Sequence, residues 1–217
     1  MPQAAAHNVR DTASKIEAYT TRLSAELRDM REAAYPPEAR KSFSKTFSTV
    51  DLARLLNVPE STLRQLTIEG KGPQPDRADN NRRTYTVSQV RELRSFLAAL
   101  RPDEAPQLLP SRRKGEKLQV IATVNFKGGS SKTTTSIHLA HFLGLQGYRV
   151  LCIDLDPQAS MTAMFGIQPE FDLGPNETAY AAIRYDNERR PFADIIRSTY
   201  FPGVDLIPGN LELMDFE

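Results

Sequence analysis

Residues 118–136 read LQVIATVNFKGGSSKTTTS and decide the fold of the second half of the chain. An apolar run at 118–124 leads into a glycine pair bounded by lysines, and a stretch compatible with a helix follows. A strand, a tight turn and a helix in this order predict a phosphate-binding loop. The alternative is a solvated Gly-Ser turn between a strand and a helix.

The spacing of this loop departs from the ordinary P-loop, G-x-x-x-x-G-K-[ST]. That motif would place glycines where this chain has Phe126 and Ser131, and what remains is KGGSSKT at residues 127–133. Gly128 and Gly129 allow a tight turn whose N–H groups point inward at an anion. The following helix adds the positive end of its dipole, so the sequence still predicts a site for phosphate.

Two side chains at the start of this helix would complete the site. Lys132 brings a positive charge to the β- and γ-phosphate oxygens, and the Thr133 hydroxyl lies where a P-loop places a Mg²⁺ ligand.

A second apolar run begins at Val150 and ends in DLDPQ at residues 154–158. Such a run is typical of a strand that is buried on both faces of a parallel sheet. Asp154 and Asp156 therefore fall at the carboxyl end of a strand, which is the edge where doubly wound sheets bind ligands. The alternative for the two aspartates is a solvated turn at the strand end.

Together, KGGSSKTTT and DLDPQ resemble the deviant Walker A ATPases of the ParA family, which segregate plasmids and chromosomes. The resemblance is strong over residues 118–169, and DLIPGN at 205–210 is similar to a later strand of the same family. It implies an α/β fold, namely the N-terminal part of a parallel-sheet P-loop ATPase domain. It also implies ATP and Mg²⁺ as ligands.

The resemblance also assigns roles to individual residues. Lys127 is similar to the signature lysine that reaches the partner's ATP in a nucleotide-sandwich dimer, and Thr134 to an α-phosphate contact. Asp156 is similar to the carboxylate that orients the attacking water, which makes Asp156, Lys127 and Lys132 the catalytic candidates. Thr133 and Asp154 would lie at the metal. The nucleotide-binding set would be Lys127, Gly128, Gly129, Ser130, Ser131, Lys132, Thr133 and Thr134.

One residue departs from the family pattern. Most members have glycine before the P-loop lysine, whereas this chain has Ser131. A Cβ there would crowd the phosphate or strain a backbone that prefers positive φ, at a cost of about 1–3 kcal/mol. This departure bears on hydrolysis more than on binding.

Charge is distributed unevenly along the chain, although the net charge is only +1. Residues 36–117 carry 16 basic and 10 acidic side chains, and residues 118–217 carry 7 and 12. A net of +6 ahead of a net of −5 indicates that any nucleic-acid contact lies in the middle block.

Composition excludes several other classes of protein. The single cysteine, Cys152, permits no disulfide within the chain and is expected to lie in the core. No stretch has the pattern of a signal peptide or a membrane span, so we expect a cytoplasmic protein without membrane contact. His138 and His141 are expected to pack or to face solvent, and with His7 they do not form a metal-ligand set.

The first forty residues predict a helical segment, assigned to 1–40. Residues 11–34 lack proline and glycine, and their apolar side chains recur at helical spacing: Ile16, Tyr19, Leu23, Leu27 and Met30. The helix would end at Tyr35-Pro36-Pro37. Its thin apolar stripe either packs on the chain's own domain or forms a homodimer contact.

Residues 49–66 read TVDLARLLNVPESTLRQL. The apolar spacing predicts two short helices that cross over a small core, with Ala53 allowing close approach and Asn57 taking a left-handed turn. This is the pattern of a helix-turn-helix, and a generic two-helix hairpin is the alternative. The second helix would expose four side chains to a DNA major groove: Ser61, Thr62, Arg64 and Gln65.

A basic β-wing is predicted after these helices. Turn residues at 70–81 lead to RRTYT at 82–86, which alternates like an edge strand, and a helix near 87–100 follows with Arg91 and Arg94 off its apolar face. Residues 46–100 resemble the winged DNA-binding domain of MerR-type regulators, and a solvated charge run is the alternative. We assign this mostly α-helical winged domain to residues 41–100. Its phosphate or minor-groove contacts would be Arg77, Arg82 and Arg83.

Residues 101–117 carry three prolines and the cluster Arg112-Arg113-Lys114, which predicts a linker. The ATPase domain would then occupy residues 118–217. A ParA-type sheet needs further strands, including one with a distal acidic residue. We therefore expect an incomplete domain, as in the N-terminal part of a longer protein or a truncated gene product.

A winged helix-turn-helix ahead of a deviant Walker ATPase resembles the N-terminally extended ParA proteins, in particular the RepA partition proteins of repABC-type plasmids. The resemblance implies an ATP-dependent, homodimeric and nucleoid-associated partition ATPase. Such a protein binds operator and non-specific DNA, acts with a centromere-binding partition protein and represses its own operon.

Two alternatives remain. A MinD-like or iron-protein-like ATPase is one, and the DNA-binding segment argues against it. The other is a transcriptional repressor in which nucleotide is only a switch or has been lost, and Ser131 and the missing acidic strand keep it open.

Overall fold

The computed structural model describes residues 2–34, 41–78, 81–112 and 114–215. The chain divides into two compact units, residues 1–41 and 42–217. Three sequence predictions fall outside the described residues: the helix end at Tyr35-Pro36-Pro37, the turn residues Asp79 and Asn80, and the linker residue Arg113.

The first unit contains one long helix, α1 (Pro2–Ala34). It includes the helix predicted at 11–34 and begins earlier. All five apolar stripe residues are exposed, from 48% for Leu27 to 72% for Tyr19. Within its own unit, α1 therefore gains little stability from apolar burial.

The second unit begins with the predicted helix-turn-helix. α2 (Thr49–Leu56) and α3 (Glu60–Ile68) are joined by Asn57, which takes the left-handed conformation (φ 53°). A capping box starts α2, because Ser48 Oγ accepts a hydrogen bond from Asp51 N while Asp51 Oδ2 accepts one from Ser48 N. Hydrogen bonds from Ser48 also lower the pKa of Asp51. Of the six residues whose spacing predicts the small core, Ala53 is half-buried and the other five are buried: Leu52, Leu56, Val58, Leu63 and Leu66.

The wing is an antiparallel sheet made of β1 (Phe47–Ser48), β2 (Asp76–Arg77) and β3 (Arg83–Tyr85). The prediction of an edge strand at residues 82–86 is wrong, because β3 is central and pairs with β1 on one side and β2 on the other. Tyr85 lies opposite Phe47 and is 2% exposed. The wing is thus anchored in the core of the unit.

Helix α4 (Val87–Leu100) has the predicted bounds and buries Val90, Leu93 and Leu97. The prediction that Arg94 lies off the apolar face is wrong, since its side chain is 2% exposed. Arg94 Nη1 donates to the carbonyl oxygen of Leu108 and Nη2 to that of Leu55, both at 3.0 Å. Backbone carbonyls thus replace water around the guanidinium, which sequence spacing alone does not reveal.

Part of the predicted linker is folded. Residues Pro102–Glu104 form a 3₁₀ turn, α5 (Ala105–Leu108) follows, and Leu108 is 1% exposed. Gly147 approaches this segment so closely that a Cβ on it would lie 2.5 Å from Leu108 O. The helices before this segment and the sheet after it share one hydrophobic core. The position of the domain boundary stays a prediction.

The rest of the unit is an α/β arrangement built on β4 (Val150–Ile153), β5 (Arg197–Ser198) and β6 (Val204–Ile207), in the order β4-β6-β5. β4 and β6 are parallel, as the sequence predicts for β4, and β5 is antiparallel to β6. Its helices are α6 (Lys132–Leu145), α7 (Ser160–Met164), α8 (Pro169–Asp172), α9 (Ala179–Ile183) and α10 (Phe192–Ile195), followed by a 3₁₀ turn at Leu211–Asp215.

The prediction that β4 is buried on both faces is wrong. Cys152 is 8% exposed and lies in the core with Ile137 and Ala140 of α6, whereas Leu151 and Ile153 are 44% and 43% exposed. α6 covers one face of the strand only. Burial, and to a lesser degree Asp154, raises the pKa of Cys152 to about 11, which keeps it a protonated core residue.

The strand predicted at residues 118–124 does not form. Leu118, Val120 and Val124 are 71%, 82% and 79% exposed. β6 has neighbours on both sides, and residues 118–124 do not pair with the open edge of β4. A strand needs the backbone of a neighbour to satisfy its own N–H and C=O groups, and residues 118–124 pair with none of the strands of the described sheet.

His141 packs in the core, as expected: its ring stacks on Phe201 at 4.3 Å, with Tyr200 Oη 3.5 Å from Nε2. Among the described helices, none is long and apolar enough to cross a bilayer.

We expect Gly147→Ala to lower the free energy of unfolding by at least about 2 kcal/mol more than Gly115→Ala, as measured by urea denaturation. Both glycines have positive φ (96° and 92°), but only Gly147 would drive a Cβ into the backbone of the α5 segment. Comparing the two variants therefore separates the cost of backbone strain, which both share, from the cost of the steric clash with Leu108, which only Gly147→Ala has. Equal losses would contradict the packing of residues 102–108 against the α/β part.

Candidate functional sites

The predicted phosphate-binding loop lies between residue 125 and the start of α6. A hydrogen bond of 3.0 Å between Ser136 Oγ and Thr123 Oγ1 joins the two ends of the loop. Asn125 Oδ1 accepts from Lys127 N at 2.9 Å, which begins the loop with a local turn. The loop is thus closed at its base even though the segment before it forms no strand.

The two glycines of the loop border open space. A Cβ built on Gly128 or Gly129 would meet no atom within 4 Å, and Gly129 has φ +72°. Ser130 Oγ is buried but has no hydrogen-bond partner in the described part of the chain. The unpaired Ser130 hydroxyl can donate to a phosphate oxygen, and the two glycines carry no side chain that would block one, so the residues present fit a nucleotide.

α6 begins without a side-chain cap and without an acidic residue in its first turn. The N–H groups of Lys132, Thr133 and Thr134 therefore keep their capacity to bind an anion, and the helix dipole favours one there. Lys127 and Lys132 form no ion pair with another described residue. The loop and the helix start together carry uncompensated positive charge.

Ser131, the N-cap of α6, takes the left-handed conformation with φ 60° and ψ 22°. The conformation expected from the family pattern is therefore present, although the residue is not glycine. A side chain in this region costs about 1–3 kcal/mol when the surroundings hold it there.

The two aspartates follow β4 at the same edge as the loop. Only four residues join α6 to β4, and the helix and the strand pack against each other. The N-terminal end of α6 and the C-terminal end of β4 therefore lie at the same edge. Asp154 is 3% exposed, whereas Asp156 is exposed. No hydrogen bond or ion pair between described residues joins either aspartate to the loop.

The carboxylate of Asp154 is occupied by donors from the chain itself. Its Oδ2 accepts from Thr162 N at 2.9 Å and Thr162 Oγ1 at 2.7 Å, and its Oδ1 accepts from Asp156 N at 3.3 Å. Asp156 is held more loosely, since one oxygen accepts from Gln158 N at 3.0 Å. Sequence reasoning missed Thr162, because nothing in a threonine eight residues after Asp154 signals this contact.

The described residues contain no cluster of three or more His, Cys, Asp or Glu side chains that could hold a metal ion. Mg²⁺ beside a nucleotide usually has only one or two carboxylate ligands together with phosphate oxygens and water, so it needs no such cluster. The metal role of Asp154 stays a prediction.

The predicted DNA-contact residues of α3 lie together on its outer side. Ser61, Thr62 and Gln65 border a shallow depression with Leu66. Arg64 is paired with Glu60 (Nη2–Oε1 2.6 Å), and Gln65 Nε2 donates to Glu69 Oε1 at 2.6 Å. Contacts to bases would have to replace these exposed bonds, each of which contributes little stability.

The wing brings the three predicted arginines to one end of its sheet. Arg77 pairs with Arg83 across β2 and β3, and Arg82 directly precedes β3. Arg77 Nη1 donates to Asn81 Oδ1 at 2.6 Å, and Asn81 has φ 59°. A tight, basic hairpin of this kind suits contacts with a phosphate backbone.

Two family models match the chain. An AAA domain model (AAA_31) matches residues 118–217, and the model of the MerR HTH family of regulatory proteins matches residues 47–101.

Individual relatives match both segments. A protein of Sinorhizobium fredii, provisionally named "replication protein A", is 48% identical over 195 residues, covering 90% of this chain and 47% of that protein. Protein SopA of Escherichia coli K12 is 30% identical over 186 residues, covering 83% of this chain and 45% of SopA. The chain spans about half the length of these relatives.

Among solved structures, cobyrinic acid a,c-diamide synthase from Mycobacterium smegmatis, crystallised with an ATP analogue and magnesium, has 32% sequence identity. The match covers 42% of this chain and 34% of that one, with a TM-score of 0.35.

We expect Ser131→Gly to raise the free energy of unfolding by about 1 kcal/mol, because glycine takes the left-handed conformation without strain. Ser131→Ala keeps a Cβ at the same position and should give no gain. Urea denaturation of the three proteins measures the difference. A gain with alanine, or none with glycine, would show that the backbone at residue 131 is not strained.

Proposed function

We propose that this chain acts in the ATP-dependent partition of DNA. Its residues 118–217 belong to the AAA_31 family of ParA-type P-loop domains, and its residues 47–101 belong to the MerR helix-turn-helix family. It would bind Mg-ATP at residues 127–134, bind DNA through the winged helix-turn-helix, and repress its own operon. The observation that carries this proposal is an open glycine loop at an uncapped helix start, packed in one compact unit with a helix-turn-helix.

The geometry of the loop and the resemblance to the family support the nucleotide roles that we propose. Lys132 would bind the β- and γ-phosphate oxygens and Thr134 the α-phosphate, while the Thr133 hydroxyl would be a ligand of Mg²⁺. When bound, Mg²⁺ would neutralise charge on the β- and γ-phosphates. Asp156, exposed at the strand end, would orient a water molecule. Lys127, exposed and without an ion-pair partner in the described chain, would reach the nucleotide of a second copy.

The DNA roles divide between α3 and the wing. Thr62 and Gln65 would reach base edges, whereas Arg82 and Arg83 would hold phosphates and set the register of the protein on the duplex. The middle block is the basic part of the chain, which favours contact with DNA there.

Helix α1 would form the contact between two copies. Ile16, Leu23 and Met30 recur at intervals of seven residues, and all are at least 59% exposed. A heptad interval is the spacing that a second helix covers in a coiled coil. The proposed dimer would act on DNA in the cytoplasm together with a centromere-binding partition protein.

A second candidate is a repressor that does not hydrolyse ATP. Two observations favour it: Ser131 is strained where most family members have glycine, and the carboxylate of Asp154 is filled by internal donors. In this case nucleotide would bind as a switch, and DNA binding would be the activity.

Lys132→Ala should weaken Mg-ATP binding by about tenfold or more, because it removes a charge-assisted contact with phosphate. Fluorescence titration with a labelled ATP measures the affinity, and turnover is measured with and without DNA. Lys117→Ala, at an exposed lysine before the loop, should bind like wild type.

Equally poor binding by the wild type and Lys132→Ala would refute the nucleotide site, whereas binding without turnover would favour the repressor. Light scattering of the same samples, with and without Mg-ATP, reports whether the proposed dimer forms.

In gel shifts with the protein's own promoter DNA, the double variant Arg82→Ala, Arg83→Ala should bind about tenfold more weakly. The slope of log affinity against log salt concentration should also become smaller in magnitude by about two, because two phosphate contacts are lost. Arg149→Ala, at an exposed arginine outside the winged domain, serves as the control. Comparing ADP with ATP tests whether nucleotide changes binding. Unaltered binding by the double variant would exclude the wing as the contact.

A further inference from the structure

We infer that Thr162 is a positioning residue of the proposed nucleotide site, whose hydroxyl fastens Asp154 to Gly209 and thereby fixes the turn that carries Asp156. The inference rests on the proposed function only for the role of Asp156. The contacts themselves belong to this chain and can be tested without nucleotide.

Thr162 lies in α7, is fully buried, and bonds on two sides. Its Oγ1 donates to Asp154 Oδ2 at 2.7 Å and accepts from Gly209 N at 2.9 Å, while its backbone N also donates to Asp154 Oδ2 at 2.9 Å. The hydroxyl thus uses its donor and an acceptor lone pair at once, and it joins the end of β4 to the residues that follow β6.

Gly209 allows this junction to be tight. A Cβ on Gly209 would lie 2.8 Å from Asp154 O and 3.3 Å from both Asp154 Cγ and Asp156 O. Asp154 N also donates to Ile207 O at 3.0 Å, which extends the pairing of β4 and β6 by one residue. Only a residue without a side chain can sit against both aspartates here.

The turn at residues 154–159 depends on Asp154. Asp154 Oδ1 accepts from Asp156 N at 3.3 Å, and Ala159 N donates to Asp156 O at 2.8 Å. Asp156 Oδ1 accepts from Gln158 N, and no described residue donates to its Oδ2. The oxygens of Asp154 therefore accept hydrogen bonds that hold the turn, and one oxygen of Asp156 stays open to solvent.

The two carboxylates therefore have different roles: Asp154 holds the turn, and Asp156 is available to the proposed nucleotide site. A buried carboxylate needs hydrogen-bond donors for its oxygens, and Thr162 and Asp156 supply donors to both oxygens of Asp154. Loss of the hydroxyl would leave Oδ2 with one donor and would leave Gly209 N, which is buried, without an acceptor. The effect would be a loosened turn at Asp156 and not a lost metal ligand.

The test compares Thr162→Val, which keeps the shape but removes the hydroxyl, with Thr162→Ser, which keeps the hydroxyl. Hydrogen exchange of the amides of Asp156, Ala159 and Gly209 should be about tenfold faster or more in the valine variant, since a buried hydrogen-bonded junction is lost. Exchange in the serine variant should stay close to wild type, and exchange in α3 should not change in either. Equal exchange in the valine variant and the wild type would overturn the inference.

A second measurement distinguishes positioning from metal binding. The Mg²⁺ concentration that half-saturates ATP binding should be the same in the wild type, Thr162→Val and Asp154→Asn. A rise of about tenfold or more in Asp154→Asn, equivalent to about 1.4 kcal/mol, would make Asp154 a metal ligand and overturn the inference. If the wild type binds no ATP, the proposed function fails, while the exchange experiment still decides the role of Thr162.

Discussion

The buried guanidinium of Arg94 is the interaction on which the second unit depends. It bonds to a carbonyl at the end of α2 and to another at the end of α5, so one side chain on α4 fixes three elements. Burial, followed by repulsion from Arg91, lowers its pKa to about 10, and the side chain stays protonated near neutral pH. A buried cation without an acidic partner is costly, and here Nη1 and Nη2 each donate to a carbonyl while Nε has no partner among the described residues.

Arg94 also brings the DNA-binding helices close to the C-terminal end of α6. Its Cδ would lie 3.2 Å from a Cβ on Gly147, and Gly147 follows the C-terminal end of α6. The N-terminal end of α6 is the proposed phosphate site. A displacement of α6 on nucleotide binding would therefore meet α4 and α5 directly, and a coupling between nucleotide and DNA would need no other contact. Such a coupling requires that nucleotide shifts α6 between two positions.

The sequence predicted those features that local patterns determine. The helix-turn-helix, the left-handed Asn57 and the bounds of α4 follow from apolar spacing, turn chemistry and capping, which act within a few residues. The left-handed conformation at Ser131 followed from the family pattern. These signals also sufficed to place the loop and Asp156 as candidates.

The sequence misled where the outcome depends on distant partners. Arg94 is buried because carbonyls from Leu55 and Leu108 reach it, and neither is near it in sequence. Residues 118–124 have the composition of a strand but pair with no strand of the described sheet, and β4 is covered on one face only. Thr162 became visible only through its contacts with Asp154 and Gly209. Tertiary contacts, and not propensity, decide each of these cases.

The proposed nucleotide site has two parts, the loop before α6 and the turn before α7, and they differ in the contacts that hold a strained backbone residue in place. Ser131 and Ala159 are both non-glycine residues in the left-handed conformation, and each begins a helix. Ala159 is 2% exposed, and the junction of Asp154 and Thr162 beside it holds α7 in place. Ser131 is exposed and has no side-chain cap. The aspartate side is thus rigid without a ligand, whereas an anion at the N–H groups of the loop would supply the support that Ser131 lacks. Nucleotide binding should therefore order the loop and the start of α6, and leave the turn at Asp156 as it is.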